Sequence, residues 1–236
     1  MTDIAVLGLS KQFGAVRAVD DLTFEVPPGQ VTGFLGPNGA GKTTTLRMIL
    51  GLARPTSGRA LIGGQPYHEL RAPRREVGVV LETTGFHPGR TGRDHLRIAA
   101  QIAGLPAGRV DEVLARVDLT AAAGRRVRGY SLGMRQRLGL AAALLGEPRV
   151  LILDEPGNGL DPAGMAWLRG TLRDFAAGGG AVLVSSHLLA EVAQTVDRVV
   201  ILAGGRVRYA GDLDGLGAGD AALETAFLRL TGAPAS

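Results

Sequence analysis

Gly36-Pro37-Asn38-Gly39-Ala40-Gly41-Lys42-Thr43-Thr44 brings together the residue types that bind a polyphosphate. Every fixed position of G-x-x-x-x-G-K-[ST] is met. A β-favouring run (31–35) precedes it and a helix-like segment (43–50) follows, so the motif has the strand, loop and helix it requires. The glycines let successive backbone N–H groups turn inward around an anion, and the helix N-terminus adds its partial positive charge. Asn38, Gly39, Ala40, Gly41, Lys42, Thr43 and Thr44 are therefore candidate phosphate contacts, with Lys42 reaching the terminal phosphates and the Thr43 hydroxyl placed for Mg²⁺. A Gly-rich turn that happens to precede a helix is the competing reading; the strand, the lysine and the hydroxyl together weigh against it. Composition points the same way. Of the 26 Lys and Arg residues only Lys11 and Lys42 are lysines, so position 42 marks a place that needs a compact point charge rather than a planar fork.

Phosphoryl transfer from a nucleotide also needs a metal partner and a positioned water. The apolar run 150–153 ends at the adjacent acids Asp154 and Glu155. Asp154 is the expected Mg²⁺ partner, directly or through water, and Glu155 can accept a proton from attacking water. A second short apolar run (77–81) ends at Glu82, and strand ends are where α/β sheets build their sites. Phe13 interrupts a polar, turn-like stretch; by itself it reads as a minor core aromatic, with a nucleobase platform as the alternative. Ser131 taken alone reads as an ordinary helix N-cap, and a lone His187 after a strand is more often structural.

The elements that must position these residues form an α/β pattern. Short strands are expected at 4–9, 22–26 and 31–35, and a hairpin at 59–64 after the turn cluster 51–58. From 86 to 146 the character turns helical (93–102, 109–117, 133–146), as an inserted subdomain would. Strands and helices alternate again at 150–153, 163–177, 181–185, 188–196 and 199–202, and a turn at 203–205 leads into 206–209. Residues 212–236, with one amphipathic piece at 223–230, read as a peripheral tail. At 236 residues and 45% apolar content one large domain is the favoured organisation. Absence of cysteine excludes disulfides and thiolate chemistry and suits a cytoplasmic protein. The longest uncharged apolar stretch (138–146) is half the length needed to cross a bilayer, so no membrane span is expected. The formal charge is only +4 with arginines scattered among acids, which reads as a solvated surface rather than a nucleic-acid face.

The order of motifs carries a resemblance. The phosphate loop, Tyr130-Ser131-Leu132-Gly133-Met134-Arg135-Gln136-Arg137, the run ending Asp154-Glu155-Pro156, Gly159-Leu160-Asp161-Pro162 and His187 together resemble the nucleotide-binding subunit of ATP-binding-cassette (ABC) transporters over roughly residues 3–211. Ser131-Leu132-Gly133-Met134 and the run 158–164 look like ATPase subunits of bacterial drug and peptide-antibiotic exporters. The resemblance implies a P-loop NTPase (RecA-like) α/β core with an N-terminal antiparallel β part and an inserted helical subdomain, spanning 1–211 with the insertion at about 86–146. It implies that ATP and Mg²⁺ are the cofactors. Ser131 and Gly133 would cap the γ-phosphate held by the other monomer of a homodimer or heterodimer, Phe13 would stack on adenine, Asp161 would communicate across the dimer, and His187 would contact the γ-phosphate. Glu82 stands where the family has a Gln that links metal and water to the helical subdomain. The implied function is ATP hydrolysis driving a separate integral membrane permease, docked near 83–104, with the subunit peripheral on the inner membrane face. A soluble ABC ATPase acting on nucleic acid or ribosomes is the rival; tandem cassettes, long coiled coils and cysteine-rich modules are missing from the sequence. A P-loop kinase is disfavoured by the signature and the adjacent Asp-Glu.

Overall fold

A computed structural model describes residues 3–81, 85–187, 189–217 and 220–232. They divide into two compact units, one from 1–71 with 169–236 and the other from 72–168.

In the first unit, alternating apolar residues drive a long hairpin. Strand β1 (Ile4–Phe13) pairs antiparallel with β2 (Val16–Val26), which buries Val19, Leu22, Phe24 and Val26 on one side. Both strands run further than the expected 4–9 and 22–26. Cross-strand pairing from Ile4↔Val26 to Phe13↔Val16 supplies hydrogen bonds that the polar residues 10–18 accept as readily as apolar ones. The phosphate loop leaves β3 (Val31–Leu35), buried at every position, and enters helix α1 (Lys42–Ile49). The segment expected as a hairpin at 59–64 is instead one strand, β4 (Ser57–Ile62), lying antiparallel on the free edge of β1; only the bridge Ile62↔Gln65 resembles a return. Gly58 makes this possible, since its left-handed backbone (φ 75) lies against the Gly8 carbonyl, where a Cβ has no room.

Parallel strands complete this unit. Strand β7 (Ala181–Ser185) and strand β8 (Arg198–Ala203) flank β3, and β9 (Arg206–Asp212) returns antiparallel to β8, giving the order β7-β3-β8-β9. The short helix α7 (Leu189–Ala193) seats Val192 over Gly33, where a Cβ would come within 3.0 Å of it. Residues after 212, expected as a peripheral tail, contribute helix α8 (Asp220–Thr231), packed on α7 and β8 with Leu223 only 1% exposed.

The second unit holds α2 (Pro73–Glu76), the parallel pair β5 (Val77–Val80) and β6 (Val150–Asp154), and three longer helices. Helix α3 (Gly92–Ile102) is capped by Thr91, whose hydroxyl accepts the Asp94 N–H at 3.0 Å. Helices α4 (Arg109–Arg116) and α5 (Leu132–Leu144) pack with α3 through Leu96, Ala100, Val113, Leu114 and Leu138. Helix α6 (Pro162–Ala177) begins in this unit and ends in the other. Helices α3, α4 and α5 lie within two residues of the spans expected at 93–102, 109–117 and 133–146, whereas the short α2 was not expected.

Candidate functional site

Backbone geometry around the loop explains its residue choice. Gly39 (φ 79) and Gly41 (φ 102) are left-handed, and a Cβ on Gly41 would lie 2.6 Å from the Ala18 carbonyl. Gly36 is hemmed in as closely, since a Cβ there would lie 2.7 Å from the Leu202 carbonyl. The amide of Ala40 donates to Pro37 O (3.1 Å), closing the loop's turn. Gly41 occupies the N-cap of α1 with no side-chain cap, and no acid stands in the first turn. That helix end therefore keeps its positive dipole for an anion. Lys42 is 8% exposed and donates to Gly36 O (2.5 Å) and Pro37 O (3.3 Å), so its ammonium lies over the mouth of the loop. Thr43 and Thr44 are half-buried beside it, while Thr45 is sealed against Gly41 O at 2.9 Å.

His187 reaches the same edge of this unit by strand register. Phe34 pairs with Ser185, the last residue of β7, so Ser186 and His187 leave the sheet at the end where β3 hands over to the loop. The imidazole is on an exposed residue. Phe13, at the end of β1, is 53% exposed with the Lys11 ammonium 4.9 Å from its ring centroid. Taken alone it was expected as a core aromatic; exposure at a strand tip corrects that.

In the second unit, Asp154 is 2% exposed at the last position of β6. Glu155 follows with φ 53, a left-handed conformation that costs a non-glycine residue ~1 kcal/mol, so the chain turns sharply as it leaves the strand. Strain of this kind gathers at functional positions. The Asn158 amide donates to Glu155 O (3.2 Å) and the Leu160 amide to Gly157 O (3.1 Å), which folds the following loop tightly. Ser131 caps α5 by accepting the Met134 N–H at 3.2 Å, so its plain reading as an N-cap is observed. Leu132 beside it stays 54% exposed while its δ-carbon covers Gly159, where no Cβ fits. Gln136 donates to Asn158 O (3.4 Å), and Gly133 faces Leu160. Ser131, Gly133 and the loop 157–160 thus form one cluster. Asp161 is the N-cap of α6, accepting the Gly164 N–H at 2.8 Å, with Pro162 in the first turn. Glu82 lies outside the described residues.

The family model described as ABC transporter matches residues 19–158, more than half of the chain. The chain belongs to the ABC transporter family. This ABC chain is 43% identical over 209 residues to the bacitracin transport ATP-binding protein BcrA of Bacillus licheniformis, an alignment covering 87% of it and 68% of that protein. It is 40% identical over 220 residues to the daunorubicin resistance ATP-binding protein DrrA3 of Streptomyces coeruleorubidus, covering 91% and 70%. A solved structure of the ATP-binding subunit of an ABC transporter superimposes with a TM-score of 0.87 at 32% identity, covering 97% of this chain and 99% of that one. The fold is accordingly that of a P-loop NTPase ATP-binding domain.

Three features of this ABC domain escape sequence reasoning. The wall that the Ala18 carbonyl presents to Gly41 comes from a β2 residue with no chemical signature of its own. The clamp on α7, where the Arg173 guanidinium donates to Gln194 O at 2.8 Å and Arg169 bonds the Gln194 side chain, joins residues 21 or more apart. Arg137, within the signature segment, stacks over the Trp167 ring at 4.2 Å and donates to Val117 O at 3.0 Å. Only the arginine's proximity to Ser131 in sequence could have drawn attention to it.

Proposed function

We propose that this chain binds and hydrolyses ATP as the motor of a transporter whose membrane-spanning permease is a separate protein. The geometry of the phosphate loop carries the reading: an uncapped, acid-free helix N-terminus behind two left-handed glycines, with a buried lysine over it. Lys42 exchanges the Gly36 and Pro37 carbonyls for phosphate oxygens, and the amides of 38–44 orient the triphosphate. Thr43 Oγ1 and the Asp154 carboxylate are hard oxygen donors that suit Mg²⁺, which retains water and phosphate ligands rather than requiring an all-protein cage. Mg²⁺, when bound, supplies positive charge to the phosphate oxygens. Glu155, held at the turn after β6, takes the proton of the attacking water; His187 contacts the γ-phosphate, and Glu82 serves the metal side of the site.

Two chains close around two ATP molecules, each presenting Ser131, Gly133 and the N-terminus of α5 to the other's γ-phosphate, with Asp161 at the seam and Phe13 stacked on adenine. No acid lies in the first turn of α5, which supports its use toward an anion. Among the described residues no helix is long and apolar enough to cross a membrane, so the path for cargo belongs to the permease, docked near 83–104, and the chain sits on the inner membrane face through it. BcrA and DrrA3 serve bacitracin transport and daunorubicin resistance, so the proposed cargo class is antibiotic-like compounds moved outward. The test is co-expression with the permease encoded beside it. Co-purification and permease-stimulated ATPase are expected, whereas stimulation by DNA or ribosomes instead would replace transport with nucleic-acid work.

A further inference from the structure

Two positions apart on β1, Lys11 and Phe13 share a face of the strand, and the Lys11 ammonium lies 4.9 Å from the centroid of the Phe13 ring. The same ammonium donates to Arg54 O at 2.7 Å. Among the described residues it meets a carbonyl and a ring but no carboxylate, so its charge bears undivided on that ring face. The Arg54 carbonyl is itself held in place. The Leu52 and Ala53 amides both return to Arg47 O (2.8 and 3.2 Å), which folds the turn after α1 back onto that helix. Thr56 then fastens the turn to β1 twice, donating its amide to Ser10 O (2.8 Å) and accepting the Gln12 amide on its hydroxyl (3.0 Å). Lys11 thereby joins the ring at the tip of the hairpin to the helix whose other end carries the phosphate loop. A lysine suits this place in a chain that otherwise writes arginine. A compact ammonium meets one carbonyl and one ring face at once, whereas a planar guanidinium would spread over the ring.

We propose that Lys11 is a positioning residue for nucleotide binding: it holds one face of Phe13 by its charge and anchors that ring to α1, so that the opposite face is presented to the base at a set distance from the phosphates. The proposal rests on the reading of Phe13 as the adenine platform and adds to it a residue that acts through Phe13. At 53% exposure the rest of the chain packs only weakly around this ring, and a base arriving on it would have to order it at a cost in affinity. The cation supplies that order beforehand. A surface lysine that only tied down a loop would stabilise the chain but give no preference for a ligand that carries a base. The neighbouring bonds of Thr56 already fasten the loop without touching the ring.

The test compares a ligand with a base and a ligand without one on the full chain in Mg²⁺: ADP, titrated by calorimetry, and pyrophosphate, titrated by displacement of a fluorescent ADP. Lys11→Met keeps the aliphatic stem and removes the charge. It is expected to weaken ADP binding about two- to fivefold, the worth of one exposed cation–π contact, while pyrophosphate affinity stays as in the native chain. In a Phe13→Ala background the same substitution should cost no further ADP affinity, because the contact it removes is already gone. Equal weakening of both ligands overturns the proposal and makes Lys11 a loop tie. An undiminished loss in the Phe13→Ala background overturns it as well. The remaining failures separate the proposal from the reading beneath it. If Phe13→Ala weakens ADP and Lys11→Met does not, the platform stands and Lys11 has no part in it; if Phe13→Ala binds ADP normally, the platform and the proposal fall together.

Discussion

In the proposed mechanism Lys42 and Glu155 serve opposite electrostatic ends, and each can be removed separately. The Lys42 ammonium is already desolvated over the loop, so its truncation leaves the phosphate charge opposed only by amide dipoles. Lys42→Ala is expected to lower ATP turnover by at least about a hundredfold, measured as phosphate release at saturating ATP. Near-normal turnover would remove the loop from the mechanism. Glu155→Gln keeps the shape of the side chain at the turn after β6 but cannot accept a proton. ATP affinity by fluorescent-nucleotide titration should stay within about threefold while hydrolysis falls by about 10²–10⁴. A parallel loss of binding would mean that Glu155 is needed for the loop itself. Both positions stand out in the sequence as candidates because the proposed chemistry calls for them locally: a lysine after Gly41 and an acid after an apolar strand. The backbone conformation of Glu155 was not, since left-handed geometry at a non-glycine residue is imposed by the turn around it.

Among the elements, α8 separates the sequence reading from the fold. A peripheral tail would tolerate truncation of Leu223, whereas a helix packed on α7 and β8 with that side chain buried would not. Leu223→Ala is expected to destabilise the chain by about 2–4 kcal/mol in urea unfolding; a change under about 0.5 kcal/mol would return α8 to the status of a tail. Helix α3 carries the titratable counterpart. Burial pushes the His95 imidazole below its reference value of 6.5, with the Arg90 charge adding to the shift, and its ring packs edge-on against Phe86. The folded state therefore resists protonation that the unfolded chain accepts. This contribution to stability is fully present above pH 6.5 and is lost as pH falls below it. Urea midpoints measured across that range should decline with acid in the native chain and decline less in His95→Phe; identical slopes would show that His95 is not the group responsible. Periodicity exposed the longer helices of the second unit, but not the four-residue α2, and the pairing of β4 with β1 required knowing which distant edge was open.

At the scale of the whole molecule, the N-terminal end of α5 is exposed at Ser131 and Leu132 and carries no acid in its first turn, a surface that the proposed second chain would set against the phosphate loop. Glu155→Gln with ATP and Mg²⁺ should elute as a dimer on size exclusion and as a monomer without nucleotide. Adding Ser131→Arg, which crowds the contact at the helix end, should abolish the dimer without impairing nucleotide binding to the loop. A strictly monomeric Glu155→Gln chain would end the shared-site scheme.

Motifs such as 36–44 and 154–155 were readable in the chain because their chemistry lives in neighbouring residues, and so was the α/β alternation, because buried strands and amphipathic helices write their period locally. The arginines at 90, 125, 126 and 128 show the reverse. Along the chain they look like part of a mixed, solvated surface of net charge +4; folding brings 88–92 alongside 125–128, so that these arginines lie on neighbouring exposed positions. The Ala18 carbonyl behind Gly41 and the Leu132 side chain over Gly159 belong to the same class. Each is a contact between segments many residues apart, and composition cannot announce it, because hydrogen bonding and packing decide which distant surfaces meet.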